Sequence, residues 1–315
     1  MKRRNGLLEI YRLILCFWPM YYHHFFFTAR DYSRFTVAEL SVDFFYVLSG
    51  FFLIQSIKKK SEESTFMGML KMMYGRLKPM LFSICFIGGF SLVCVGLFVE
   101  SNHFNTLFEI FKYWWFVLYL VIAVGVFYLI YRLVKNETVF GVIMFVLSLS
   151  MGIFHYHLSV RGFFIFEFTF VARTIGCIAL GVLVSYIPAI KNKKLLISIP
   201  AVAILLVGLL YHAYSEKSYN MCIMMIVMFA LLVYFSSNIS VGGRVFDIMG
   251  KLGMRIYLYL PFITVIYYLG ITHHRILFVL DVTIAVLDLI LDSYRTRYHA
   301  LKAKMKDSDR EYVLK

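Results

Sequence analysis

The chain has 315 residues, 61% of them hydrophobic and 18% aromatic, with a formal net charge of +14 and a mean hydropathy of +0.77. Globular domains average roughly 45–50% apolar residues, so this composition excludes an ordinary soluble domain and indicates a polytopic, all-α membrane protein. The positive charge is not accompanied by a nucleic-acid-binding motif; basic residues sit at the ends of apolar runs, so topology explains them and no nucleic-acid partner is expected.

Hydropathy divides the chain into ten candidate spans at 7–28, 37–57, 79–99, 111–133, 138–155, 168–187, 194–212, 219–236, 254–272 and 276–293. Each is close to the ~20 residues that cross a bilayer. The first apolar run follows Lys2, Arg3 and Arg4 without a small-residue cleavage site, which reads as a retained helix rather than a cleaved signal. With the N-terminus inside, 24 lysines and arginines fall in inner segments, six fall outside and two, Arg12 and Arg173, lie within spans. That asymmetry predicts both termini on the cytoplasmic side. The expected organisation is one membrane domain over residues 1–293 followed by a basic cytoplasmic tail over 294–315, with no internal repeat of the inverted-transporter kind.

Charged residues inside spans are costly and mark functional positions by default. Arg12 and His23 share the first span and are eleven residues apart. At ~100° per residue that separation is ~20° past three whole turns, so both lie on one helix face, ~16 Å apart along the axis. His23 follows Pro19 and is a candidate general base; a hydrogen bond to a carbonyl is the structural alternative, and His24 occupies a different face. Arg12 either pairs with Glu9, three residues earlier, or snorkels to headgroups, or grips a phosphate or thioester carbonyl arriving from the cytosol.

The second span contains Ser41-Val42-Asp43-Phe44-Phe45-Tyr46-Val47-Leu48-Ser49-Gly50-Phe51-Phe52-Leu53-Ile54. Together with Arg12-x10-His23 it resembles the integral-membrane acyltransferase-3 family, in which an Arg-x10-His helix precedes a helix of the form V-x-FF-x-LSGF. The likeness continues through Arg76-Leu77-Lys78-Pro79, which ends a basic loop, Trp114-Trp115-Phe116-Val117-Leu118, Arg173 before Gly176 and Gly181, and Leu252-Gly253-Met254-Arg255-Ile256-Tyr257-Leu258. Two departures stand out. Many members carry Arg-x-x-Arg where Arg76 and Lys78 are two apart, and a histidine where this chain has Pro261.

The resemblance implies a ten-helix bacterial inner-membrane or plasma-membrane O-acyltransferase. Such an enzyme carries an acyl group, commonly acetyl from cytosolic acetyl-CoA, to a hydroxyl of a cell-surface or lipid-linked glycan, a form of polysaccharide modification. On that basis His23 is the expected catalytic base, with Asp43 orienting it or the acceptor hydroxyl, and Arg12, Arg76, Lys78 and Arg173 are expected donor contacts. No metal is expected. Asp43 has a structural alternative, an ion pair with a basic partner such as Arg173. Asp281, Asp288 and Asp292 share one face of the last span and read as counter-ions for buried arginines. Ser49-Gly50 reads as a close-packing site, and the five cysteines as small core residues. His155-x-His157 and His273-His274 read as surface pairs, and Lys58-Lys59-Lys60 as a topology signal and anionic-lipid contact. Rival readings are a transporter or flippase of glycan or lipid intermediates, and an inactive scaffold of polysaccharide assembly.

Overall fold

A computed structural model describes residues 5–29, 35–58, 64–98, 114–160, 166–190, 219–239, 241–268, 270 and 273–313, with residues 202, 205, 206 and 208 between. Among the described residues there are nine long helices and no strand. They are α1 (Gly6–Ala29), α2 (Phe35–Lys58), α3 (Thr65–Phe98), α4 (Trp115–Val134), α5 (Glu137–Val160), α6 (Phe166–Tyr186), α7 (Tyr219–Ser237), α8 (Arg244–Tyr268) and α9 (His274–Val313). The seventh expected span, 194–212, falls largely outside the described residues. Within α3, α4 and α5, the segments Thr65–Leu97, Trp115–Val134 and Glu137–Phe154 are each long and apolar enough to cross a membrane. Two shorter apolar helical stretches are Phe170–Tyr186 and Ile223–Ser237. The α5 segment turns Val142, Phe145, Val146, Leu149 and Ile153 outward. An uninterrupted apolar outer face of this kind suits lipid and would be a liability in water.

Three helices extend beyond their expected spans. The run before Pro79, expected as a basic loop, is the first part of α3, which begins at Thr65 and continues through the proline. Likewise α8 starts at Arg244 and includes Pro261, and α9 continues unbroken to Val313. Hydropathy detects the apolar part of a helix, whereas backbone hydrogen bonding carries the helix on into polar sequence.

The start of α1 is fixed to the α7–α8 connection. Asn5 caps α1 by accepting from the Leu7 and Leu8 amides at 3.1 and 3.4 Å. Its own amide donates to the Ser236 and Ile239 carbonyls, both at 2.6 Å. From there α1 runs against α8, where Gly253 lets the backbone come within van der Waals range of Arg12 and Leu13. The same end of the bundle's core is also tied where Lys58, closing α2, meets Glu137, opening α5, at 2.7 Å. Glu137 accepts the Lys58 hydrogen bond and raises that ammonium's pKa.

The closest helix pair is α2 with α6, which run parallel. Gly50 of α2 lies against the Ile178 carbonyl, and Gly181 of α6 against the Val47 carbonyl. Small residues at such crossings let backbones approach where no hydrophobic effect drives association. The core around this pair includes Phe44, Tyr46, Ile178 and Phe229, all fully buried, with Phe44 and Phe229 edge to face at 5.7 Å.

A Cβ at Gly50 or Gly181 would collide with backbone, which cannot swing aside. Gly50→Leu and Gly181→Val are therefore expected to lower thermal stability in detergent by about 1–3 kcal/mol or more. Gly89→Ala, whose Cβ meets open space, should melt like the parent. Equal melting of all three variants would refute the packing argument.

Candidate functional site

Two buried arginines are paired with carboxylates. Arg173 of α6 donates from Nε to Asp43 Oδ1 at 2.6 Å and from Nη2 to Asp43 Oδ2 at 2.8 Å. Both side chains are sealed from solvent, at 5% and 0% exposure. Such a two-pronged, charge-assisted pair fixes angle as well as distance. Cys177, one turn beyond Arg173, adds its thiol to Asp43 Oδ1 at 3.6 Å. The alternative reading of Asp43, an ion pair with Arg173, is the arrangement found. Arg255 of α8 lies 3.2 Å from Asp288 and 2.9 Å from Asp292, and Ser83 of α3 donates to Asp288 at 2.7 Å. Two of the three α9 aspartates thus act as counter-ions to a buried arginine. Asp281, two turns earlier on the same helix, is also buried.

Arg12 is held differently. It pairs with Glu9 at 3.0 Å, yet its side chain keeps 26% exposure while that of Glu9 keeps 8%. Glu9 is wedged against Gly250 of α8, where any side chain would displace it. The carboxylate is therefore fixed by packing, and it fixes one side of the guanidinium while leaving the rest available.

That available side borders a cavity of about 50 Å³. Its polar wall comprises Arg12 and Cys16 from α1 and Ser49 from α2. Phe45, Met80, Phe116, Leu120 and Tyr257 are among the residues that close it with apolar and aromatic surface. The aromatic part is interlocked: Phe116 lies 4.9 Å from the Tyr46 ring and 5.0 Å from the Tyr257 ring, centroid to centroid. Trp114 at the head of α4 donates to the Leu258 carbonyl at 3.2 Å, next to the Tyr257 carbonyl that Pro261 deprives of its helical donor.

Arg76 belongs to the same neighbourhood. Met80, one turn on along α3, lines the cavity, and Arg76 is close enough to Arg12 for the two like charges to repel. Lys78 is two residues on, ~200° around the helix, and is exposed. Arg76 thus lies one turn before the cavity-lining Met80, Lys78 on another face, and Arg173 in the α2–α6 pair. His23 and His24 belong to α1, but their side chains lie outside the described residues, as do those of Glu167, His155 and His157.

Cys16 and Ser49 were legible as small residues suited to helix packing, and both turn out to line the cavity. Their signal was spacing: Cys16 is four residues after Arg12, on the same face. Among the described residues no group of three His, Cys, Asp or Glu side chains could hold a metal ion, and Cys16, Cys85, Cys94 and Cys177 are free thiols.

A family model described as an acyltransferase domain, that of acyltransferase-3, matches residues 7–290. No curated protein and no solved structure matches the chain. The matched range takes in every one of the nine helices at least in part, and the chain belongs to the acyltransferase-3 family. It is a membrane protein of an acyltransferase family, working between an acyl donor and an acceptor.

Removing one partner from a sealed ion pair strands the other, at a cost of about 3–5 kcal/mol, whereas replacing both with apolar residues of similar volume is often near neutral. Asp43→Leu should therefore collapse thermal stability, and Asp43→Leu with Arg173→Met should recover much of it. If the double variant melts no higher than the single one, the pair is not the cause of the loss.

Proposed function

Taking the acyltransferase-3 family as the premise, we propose that this protein moves a short acyl group, acetyl in the first instance, from a cytosolic acyl-CoA to a hydroxyl of a cell-surface or lipid-linked glycan. Both termini are assigned to the cytoplasm and the protein to a bacterial inner or plasma membrane. The observation that carries the reading is Arg12, whose guanidinium is anchored on one side by Glu9 and stands on the other at the wall of an otherwise apolar cavity. A cation beside an apolar recess matches a ligand with an anionic head and an apolar end.

Arg76 strengthens the match. Arg76 adds a second guanidinium near Arg12, whose own bonded carboxylate is Glu9. Donor phosphates, or the oxygen of a polarised thioester carbonyl, would neutralise the guanidinium charge. Lys78, on its separate face, contributes to the positive field without touching the donor.

In the chemical step the acceptor hydroxyl oxygen attacks the thioester carbonyl carbon. His23 takes the hydroxyl proton as the new C–O bond forms. The C–S bond then breaks and the CoA thiolate leaves, recovering a proton from the imidazolium. Arg12 acts at the opposite end of the same helix face, ~16 Å below in helix rise. Asp43 and Arg173 serve this chemistry indirectly, by fixing α2 and with it the Phe45 and Ser49 walls.

Mass spectrometry of surface glycans should find an acetyl-sized addition in cells making the intact protein and not in the deletion strain. With His23→Ala or Arg12→Ala, produced at parent level, the addition should drop by at least about a hundredfold, within the usual range for loss of a general base. Identical acylation in all strains would overturn the glycan reading. Movement of a glycan or lipid intermediate without covalent change would replace it with transport.

A further inference from the structure

We propose that the Arg12 cavity receives the acyl end of the donor as it docks and that Phe116 and Leu120 restrict the donor to short chains. The proposal rests on the donor reading of Arg12 and adds what that reading does not specify, the limit on chain length and the side chains that impose it.

The argument begins with volume. At about 50 Å³ the cavity is roughly a third of the ~150 Å³ recess that admits a benzene ring. That volume suits a few heavy atoms and is tight for a six-carbon chain. Its walls also suit an alkyl end: apart from Arg12, Cys16 and Ser49, the lining is aliphatic, thioether or aromatic side chains.

The walls differ in how readily they yield. Phe116 is 7% exposed and is held between the Tyr46 and Tyr257 rings, so a longer chain cannot rotate it aside without moving α2 or α8. Leu120, 4% exposed, lies one helical turn further along α4 and continues the same barrier. Met80, with its flexible thioether, is the wall able to adjust, and it allows one additional methylene at modest cost. Arg12 fixes the polar end, so the chain cannot escape the barrier by sliding back.

Leu120 is the position to vary, because truncating Phe116 would also dismantle the aromatic cluster. Truncation at Leu120 lengthens the cavity, and Leu120→Phe fills it. The full-length protein, purified in detergent, would be titrated with unacylated CoA, acetyl-CoA and hexanoyl-CoA, with each ligand competing against labelled acetyl-CoA. For the parent, hexanoyl-CoA should bind about ten- to a hundredfold more weakly than acetyl-CoA, the penalty of forcing extra methylenes into a packed interior. Leu120→Ala should bring the two within a few fold of each other and leave CoA unchanged. Leu120→Phe should weaken acetyl-CoA and again leave CoA unchanged, a pattern that general destabilisation would not produce.

Equal binding of hexanoyl-CoA and acetyl-CoA by the parent overturns the chain-length limit. So does a Leu120→Ala effect that falls alike on CoA and both acyl forms. In either case acetyl-CoA still binds and the donor reading of Arg12 survives. If CoA and acyl-CoA all fail to bind, that reading falls and this inference falls with it.

Discussion

The bidentate pair between Asp43 and Arg173 is the constraint on which the rest of the bundle depends. A charge sealed inside a membrane protein persists only when its partner is held in good geometry, because the cost of desolvation is repaid only at close range and correct angle. Close range requires α2 and α6 to approach more tightly than large side chains permit, and Gly50 and Gly181 supply that approach on the same two helices. The glycines and the ion pair therefore specify one register between them. Once α2 is fixed, Phe45 and Ser49, two and six residues beyond Asp43, are fixed as well, and they form one wall of the Arg12 cavity.

The ionised groups inside the bundle fall into two kinds. Arg173 and Arg255 are each about 5% exposed and face carboxylates from other helices, so they cross-link the bundle and leave little capacity for a ligand. Arg12 is bonded to a carboxylate on its own helix, three residues away, and retains a quarter of its surface. An ion pair within one helix does not of itself link that helix to another. Its effect is to orient the guanidinium, which is consistent with a binding group and wasteful in a purely structural one. Glu9 is itself immobilised by Gly250, so the orientation is set by backbone packing between α1 and α8.

Much of this was legible in the sequence, for identifiable reasons. The all-helical membrane class follows from composition, and the roles of Asp288, Asp292 and Ser49-Gly50 follow from rules about charge and small residues in spans. The acyltransferase-3 family was carried by the Arg12-x10-His23 and Phe44-Phe45 segments, which lie inside the matched range. The Asp43–Arg173 pair, 130 positions apart, was legible as the alternative for Asp43, because a buried charge in a span needs a counter-charge. What the sequence withheld was its two-pronged geometry and the Cys177 thiol beside it, which only the fold brings together. The helical run from Thr65 to Pro79 was hidden for a different reason: its lysines, Arg76 and the proline read as a loop boundary, although its apolar residues continue the helix.

Phe116 shows how local sequence and distant packing combine at the site. The Trp114-Trp115-Phe116 triplet sits at the first turn of α4, and its three rings leave the helix in three directions. Trp114 bonds the Leu258 carbonyl of α8, Trp115 packs on Phe170 of α6 at 4.1 Å, and Phe116 lodges between α2 and α8. Successive residues on a helix point ~100° apart, so three consecutive aromatic residues are an economical way to fasten one helix end to three neighbours. The same fastening makes Phe116 a stiff wall. A residue that holds α2, α4 and α8 together cannot also yield to a ligand, and the cavity beside it keeps its shape for the reason that the bundle keeps its fold.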